Sequence, residues 1–153
     1  METKVVNKLI EKGYHISFAE SCTGGLCAAT LINVSNASKV INESFVTYAN
    51  EAKIKYLDVK EKSIEKYGVV SEVVAREMAI GVQNNTNSEV GVGVTGIAGP
   101  LGGTKEKPVG MVCFAFAIKD KVISFTKYFS NIGRNNVRKK SVEFVFEKLN
   151  ELL

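Results

Sequence analysis

The segment His15–Leu31, HISFAESCTGGLCAATL, constrains the fold more than any other part of the chain. His15 to Ala19 alternate polar and apolar, the two-residue period of a half-buried strand. From Leu26 onward the residues suit a buried helix, which the pattern carries to about Asn33. Between the two lie Glu20, Ser21, Cys22, Thr23, Gly24 and Gly25. A strand that turns directly into a helix leaves the first helical N–H groups without partners and pointing outward. Thr23 is read as the N-cap, and Gly24 and Gly25 allow a ligand to approach the backbone closely. Such a helix start attracts a phosphate, or the developing oxyanion of an acyl transfer. A tight turn with a capping residue would account for Thr23-Gly24-Gly25 alone. Glu20, Ser21 and Cys22 directly ahead of it tip the balance toward chemistry.

The remaining pattern supplies neighbours for this unit. Val5, Val6, Leu9 and Ile10 at helical spacing, closed by Gly13, predict a packing helix over 2–13. A turn at 35–38 leads into a short helical segment, and 45–48 alternate as a strand. Asn50 is placed as the N-cap of a helix carrying Ala52, Ile54, Tyr56 and Leu57, and 60–67 fit another, closed by Gly68. Ser71 caps a long helix running to about Gln83. Val90, Val92 and Val94 alternate with Gly91 and Gly93, a strand that something approaches closely. A glycine-rich loop runs to Pro108, then 109–118 and 122–128 form a hairpin around Lys119-Asp120-Lys121. A final helix spans 134–152, with Val137, Val142, Val145, Phe146 and Leu149 on one face. Interleaved helices and strands without repeat or linker predict one domain, 1–153. The expected class is α/β, a layered α/β/α sandwich with a mixed, mostly parallel sheet.

Charge and cysteine usage narrow the function. A net charge of +4 permits an anionic small molecule but comes without the dense basic stripe of a nucleic-acid binder. The charged N-terminus does not read as a signal peptide and no apolar run reaches a membrane span, so a cytoplasmic location away from membranes is expected. The 3 cysteines lack CxxC spacing and His15 is the single histidine, so neither a metal site nor a cofactor is expected. His15 falls at the far end of the strand leading to Ser21, which argues against a Ser-His-Asp triad.

Three other stretches suggest chemistry. Lys53, in Tyr48-Ala49-Asn50-Glu51-Ala52-Lys53, falls in the first turn of a helix. The positive dipole end there would depress its pKa, suiting a base, whereas a solvated surface lysine is the plainer reading. Thr95, Gly96, Gly99, Gly102 and Gly103 place a nest of N–H groups after a strand, where open α/β sheets bind ligands. Arg134 and Arg138, four apart at a helix start, are suited to clamping a phosphate. Together these groups match acyl-type hydrolysis of an anionic substrate. The nucleophile remains either Ser21 or Cys22, the latter with Glu20 and Lys53 as an acid–lysine–thiol set. Alternation sends the two side chains to opposite sides, so one faces the pocket. A non-catalytic nucleotide-binding module would use the same glycine turns only to hold phosphate.

Several blocks, in order, carry a resemblance. Ala19-Glu-Ser-Cys-Thr-Gly-Gly25, Phe45-Val-Thr-Tyr-Ala-Asn-Glu-Ala-Lys53, Gly68-Val-Val-Ser71, Gly93-Val-Thr-Gly-Ile-Ala-Gly-Pro100 and Lys107-Pro-Val-Gly110 resemble the C-terminal domain of CinA, the competence/damage-inducible family. That family includes stand-alone nicotinamide-nucleotide amidohydrolases. The resemblance implies deamidation of nicotinamide mononucleotide to nicotinate mononucleotide and ammonia, in pyridine-nucleotide salvage, by a homo-oligomer that needs no metal. It carries the catalytic serine to Ser21, its lysine partner to Lys53, and site roles to Tyr48, Thr95 and the Arg134/Arg138 region. Oxyanion stabilisation would come from Thr23-Gly24-Gly25. Leu101 departs from the polar residue that many relatives have after Gly-Pro. The chain offers no room for the larger CinA architecture's N-terminal domain, so that domain's activities are not implied.

Overall fold

The computed structural model describes the whole chain, Met1–Leu153. The apolar stripe of the first residues forms α1 (Glu2–Lys12), which ends where Gly13 takes the left-handed conformation. Next come β1 (Ile16–Glu20), α2 (Leu26–Ile32), a 3-10 turn (Ala37–Lys39), β2 (Phe45–Val46), α3 (Asn50–Leu57), α4 (Glu61–Tyr67) and α5 (Glu72–Asn85). The chain finishes with β3 (Val90–Gly96), β4 (Met111–Ile118), β5 (Lys121–Tyr128) and α6 (Arg134–Leu152).

The five strands form one sheet in the order β2-β1-β3-β4-β5. β1 pairs in parallel with both β2 and β3, with Ala19 opposite Phe45 and Gly93. β4 runs against β3 and β5, so every strand except β4 points the same way. This is the mixed sheet expected, and helices cover both faces. On one side α1, α2 and α6 pack Val5, Leu9, Leu31, Val145 and Leu149 onto Phe18, Phe114 and Phe116. On the other, α3 and α5 bring Leu57, Val74 and Met78 against Ala19.

The close approach forecast for β3 is made by α5. A Cβ on Gly91 would lie 2.2 Å from the Ala79 carbonyl oxygen, and one on Gly93 2.3 Å from that of Ala75. Because β1 and β3 are parallel, Ser21 and Thr95 emerge at the same edge of the sheet. The start of β4 and the start of α6, after β5, return to that edge. Topology alone therefore gathers the loops that carry the candidate residues.

Two capping expectations are corrected. α2 starts at Leu26 with Gly25 at its N-cap, and Thr23 makes no capping hydrogen bond. The helix begins too late for the Thr23 hydroxyl to reach its free amides, and the Glu20 carboxylate accepts those of Cys27 and Ala28 instead. α3 begins at Asn50 itself, with Ala49 at the N-cap and no side-chain cap. Ser71 does cap α5, its hydroxyl accepting the Val74 N–H at 3.2 Å. β2 is shorter than the 45–48 expected, because the carbonyls of Thr47 and Tyr48 turn to accept from Lys53. No helix is long and apolar enough to cross a membrane.

Candidate active site

The pleat at the end of β1 separates three consecutive side chains. Phe18 and Cys22 join the core under α1, α2 and α6, whereas Ala19 packs on the α3–α5 side. Glu20 points with Phe18, its carboxylate accepting the Cys27 N–H at 2.8 Å and the Ala28 N–H at 3.1 Å. Ser21 points the other way, with its hydroxyl 3.1 Å from Lys53 Nζ. Of the two, the Ser21 hydroxyl is the one hydrogen-bonded to Lys53, although Cys22 also borders the cleft around them.

Lys53 is 1% exposed, although it comes from a mostly polar helix. Its Nζ donates to the Thr47 carbonyl at 2.8 Å and to the Tyr48 carbonyl at 3.1 Å, with Ser21 Oγ as the third neighbour. No carboxylate lies within ion-pairing distance. Burial lowers its pKa to about 8. Desolvation therefore replaces the helix-end effect as the main cause of the depression. The coordination also suits a base. An ammonium supplies three N–H donors to three partners, but a neutral amine keeps two for the carbonyls and turns its lone pair to Ser21. Burial pushes the neighbouring Cys22 thiol up to about 12, so it stays protonated near neutrality. The proposed acid–lysine–thiol set does not assemble, because Glu20 is spent on α2.

Around Ser21 and Lys53 opens a cleft of about 260 Å³. Cys22, Tyr48, Asn50 and Arg134 border it, together with Val69, Val70, Thr95, Gly96, Ile97 and the loop residues Ala98, Gly99, Leu101 and Gly102. Arg134 spans the mouth, donating to the Gly99 carbonyl and to the Tyr48 hydroxyl, both at 2.8 Å. The Thr95 hydroxyl is buried and donates to the Val69 carbonyl at 3.1 Å.

Other expected members of the site lie outside the cleft. Arg138 donates from Nε to the Cys22 carbonyl at 2.9 Å and from Nη2 to the Thr23 carbonyl at 3.2 Å. It fastens the turn and does not join Arg134 in a phosphate clamp. Thr23, Gly24 and Gly25 do not line the cleft. Gly24 N–H donates to the Ser21 carbonyl at 3.0 Å and Leu26 N–H to that of Thr23 at 3.1 Å. The glycines serve positive φ angles of 59° and 99°, and a Cβ on Gly24 would sit 3.3 Å from Arg138 Nη2. With Glu20 on its amides, the start of α2 is not free to hold an anion. The N–H of Cys22, by contrast, meets no protein carbonyl, nor do those of Ala98, Gly99, Leu101 and Gly102.

The reading of residue types missed Asn50 as a cleft residue, having placed it as a cap. It also missed Val69 and Val70, although the Gly68-Val-Val-Ser71 block had already stood out. No cluster of three or more His, Cys, Asp or Glu side chains is positioned to hold a metal ion.

Comparison with known proteins agrees with this architecture. A CinA-like protein of Kosmotoga olearia is 44% identical over 147 residues, and one of Petrotoga mobilis 40% identical over 153. The chain spans 35% and 38% of the length of those two relatives. Among solved structures, a CinA superfamily protein from Escherichia coli superposes with a TM-score of 0.95 at 35% identity, covering 99% of this chain and 88% of its own. A competence/damage-inducible protein from Agrobacterium tumefaciens gives 0.92 at 37%, covering 99% and 96%. The family model described as the CinA C-terminal domain matches residues 1–153, and the chain belongs to that family.

Proposed function

We propose that the protein hydrolyses the carboxamide of a nicotinamide nucleotide, converting nicotinamide mononucleotide to nicotinate mononucleotide and ammonia. The observation that carries this reading is a buried amine without a counter-ion, 3.1 Å from the Ser21 hydroxyl, at the floor of an open cleft. Neutral Lys53 takes the Ser21 proton as Oγ bonds to the carboxamide carbon. The Cys22 N–H, adjacent to the nucleophile and bonded to no protein carbonyl, is the first candidate to hold the oxyanion. One such donor is worth about 3–4 kcal/mol of barrier. As the tetrahedral species collapses, the C–N bond breaks and the Lys53 ammonium gives its proton to the departing NH2 nitrogen, which leaves as ammonia. Water then attacks the seryl ester, with Lys53 again as base, and releases the carboxylate.

Two kinds of lining residue suit the two ends of such a substrate. Val69, Val70 and Ile97 offer an apolar wall to a flat pyridinium ring. Arg134 uses two N–H groups within the protein and keeps others for a phosphate. The test is ammonia release from nicotinamide mononucleotide, with free nicotinamide as comparison. Turnover of the nucleotide is expected, with kcat/KM for free nicotinamide at least about 100-fold lower once the phosphate contact is lost. Equal turnover of both would remove the phosphate site. Nucleotide binding without ammonia release would leave a non-catalytic binding module.

A further inference from the structure

The Lys107-Pro108-Val109-Gly110 block stands out in the sequence, yet none of its side chains enters the cleft. Lys107 Nζ donates to the carbonyls of both Tyr67 and Val70, the latter at 2.7 Å. Between those two, the Gly68 carbonyl accepts from Ser71 Oγ at 2.8 Å and the Val69 carbonyl from Thr95 Oγ1 at 3.1 Å. All four successive carbonyls from Tyr67 to Val70 are thus held by side chains, two of them by a single ammonium. An irregular segment ordinarily leaves such groups to water. The α4 helix also ends at Tyr67, so the cation sits on the negative end of that helix.

The other end of Lys107 is fixed as well. Its N–H donates to Thr104 Oγ1 at 3.0 Å, and its carbonyl accepts the Thr104 N–H at 2.8 Å. A Cβ on Gly68 would lie 2.6 Å from Lys107 Nζ, so glycine at 68, which also takes a positive φ of 81°, leaves the amine its place against the segment. The tie joins the loop after β3 to the segment between α4 and α5. Val69 and Val70 on that segment, and Ile97 on that loop, form the apolar side of the cleft.

We propose that Lys107 is a positioning residue: by pinning the 67–70 segment to the loop after β3, it sets the distance of the Val69–Val70 wall from Ser21 and so the fit of a flat ring. This rests on the nucleotide-amidase reading for its substrate, and on the hydrogen bonds alone for the pinning. Lys107→Met keeps the length of the side chain and removes the charge. Amide hydrogen exchange in this variant is expected to speed up at 68–71 while α6 and the centre of the sheet keep their protection. KM for nicotinamide mononucleotide is expected to rise about tenfold, within the range that a misfitted apolar pocket costs. kcat should change less than about twofold, and the pH midpoint should stay in place, because Lys53 and Ser21 are untouched. Lys107→Arg, which can still donate to both carbonyls, should recover most of the KM. Unchanged exchange at 68–71 would overturn the pinning. Unchanged KM, or a fall in kcat with a moved pH midpoint, would overturn the role in ring fit. If the wild-type protein releases no ammonia from the nucleotide, the amidase reading fails, while the exchange result still decides whether Lys107 pins the segment.

Discussion

The two sides of the strand end at Glu20-Ser21-Cys22 look alike in sequence and differ completely in use. Toward α2 most polar groups are consumed: Glu20 on two amides and Arg138 on the Cys22 and Thr23 carbonyls, with the Cys22 thiol in apolar packing and the buried Thr23 hydroxyl left without a partner. Toward α3 a buried amine lies against a hydroxyl beneath open space, with no charge to neutralise it. The first side spends its polar groups on rigidity. The second leaves an uncompensated cation, which burial disfavours and which therefore yields its proton readily.

The harshest way to break this contrast is to exchange the roles of neighbours. Ser21→Ala is expected to lower kcat by about 10⁴-fold or more, since removing a nucleophile removes the covalent route. Cys22→Ala, across the pleat, should cost less than about fivefold. Ammonia release from both variants measures the difference. Loss confined to Cys22→Ala would move the chemistry to the α2 side of the strand.

The next largest effect is in pH. With Lys53 lowered to about 8 by burial, only about a tenth of molecules carry the neutral amine at pH 7. The sign follows from which form reacts: the base is the deprotonated amine, so activity rises with pH. The rate at fixed, subsaturating nucleotide should increase nearly tenfold per pH unit below the midpoint and level off above about 8. A rate that kept climbing toward 12 would point to the Cys22 thiol, which titrates there. A flat profile would remove Lys53 as base.

Much of this was legible in the sequence where a local period carries the information. The alternation through Phe18-Ala19-Glu20 and the switch to a helical pattern after Gly25 place Ser21 at a strand end, and the parallel sheet brings Thr95 beside it. Lys53 was legible by position, although the reason for its lowered pKa was not, since burial is a tertiary property. Glu20 reads as a reactive acid because nothing local shows that its carboxylate will reach amides seven and eight residues ahead. Arg138 pairs with Arg134 in sequence, but its partners lie more than a hundred residues away. Val69 and Val70 sit in a segment too short for any period. Their place in the cleft wall depends on ties from Thr95 and Lys107, which no pattern in 67–70 encodes.

The finest test acts on the locked side alone. Glu20 is fully buried and supplies both acceptors for the exposed end of α2, a helix of seven residues that would not hold by itself. Glu20→Gln preserves shape but turns one acceptor oxygen into an NH2 group facing an N–H donor, and it weakens the other bond by removing the charge. Hydrogen bonds to charged groups contribute about 1.5–3 kcal/mol, so a loss of roughly 2 kcal/mol is expected in urea unfolding. Because the carboxylate touches neither Ser21 nor Lys53, kcat in the folded variant should remain within about threefold of the wild type. A variant of unchanged stability that had lost its activity would make Glu20 part of the chemistry. A variant that lost both in proportion would show that the lock on one side of the strand and the reactive pair on the other are a single energetic unit, and that the turn cannot loosen without dissolving the Ser21–Lys53 contact.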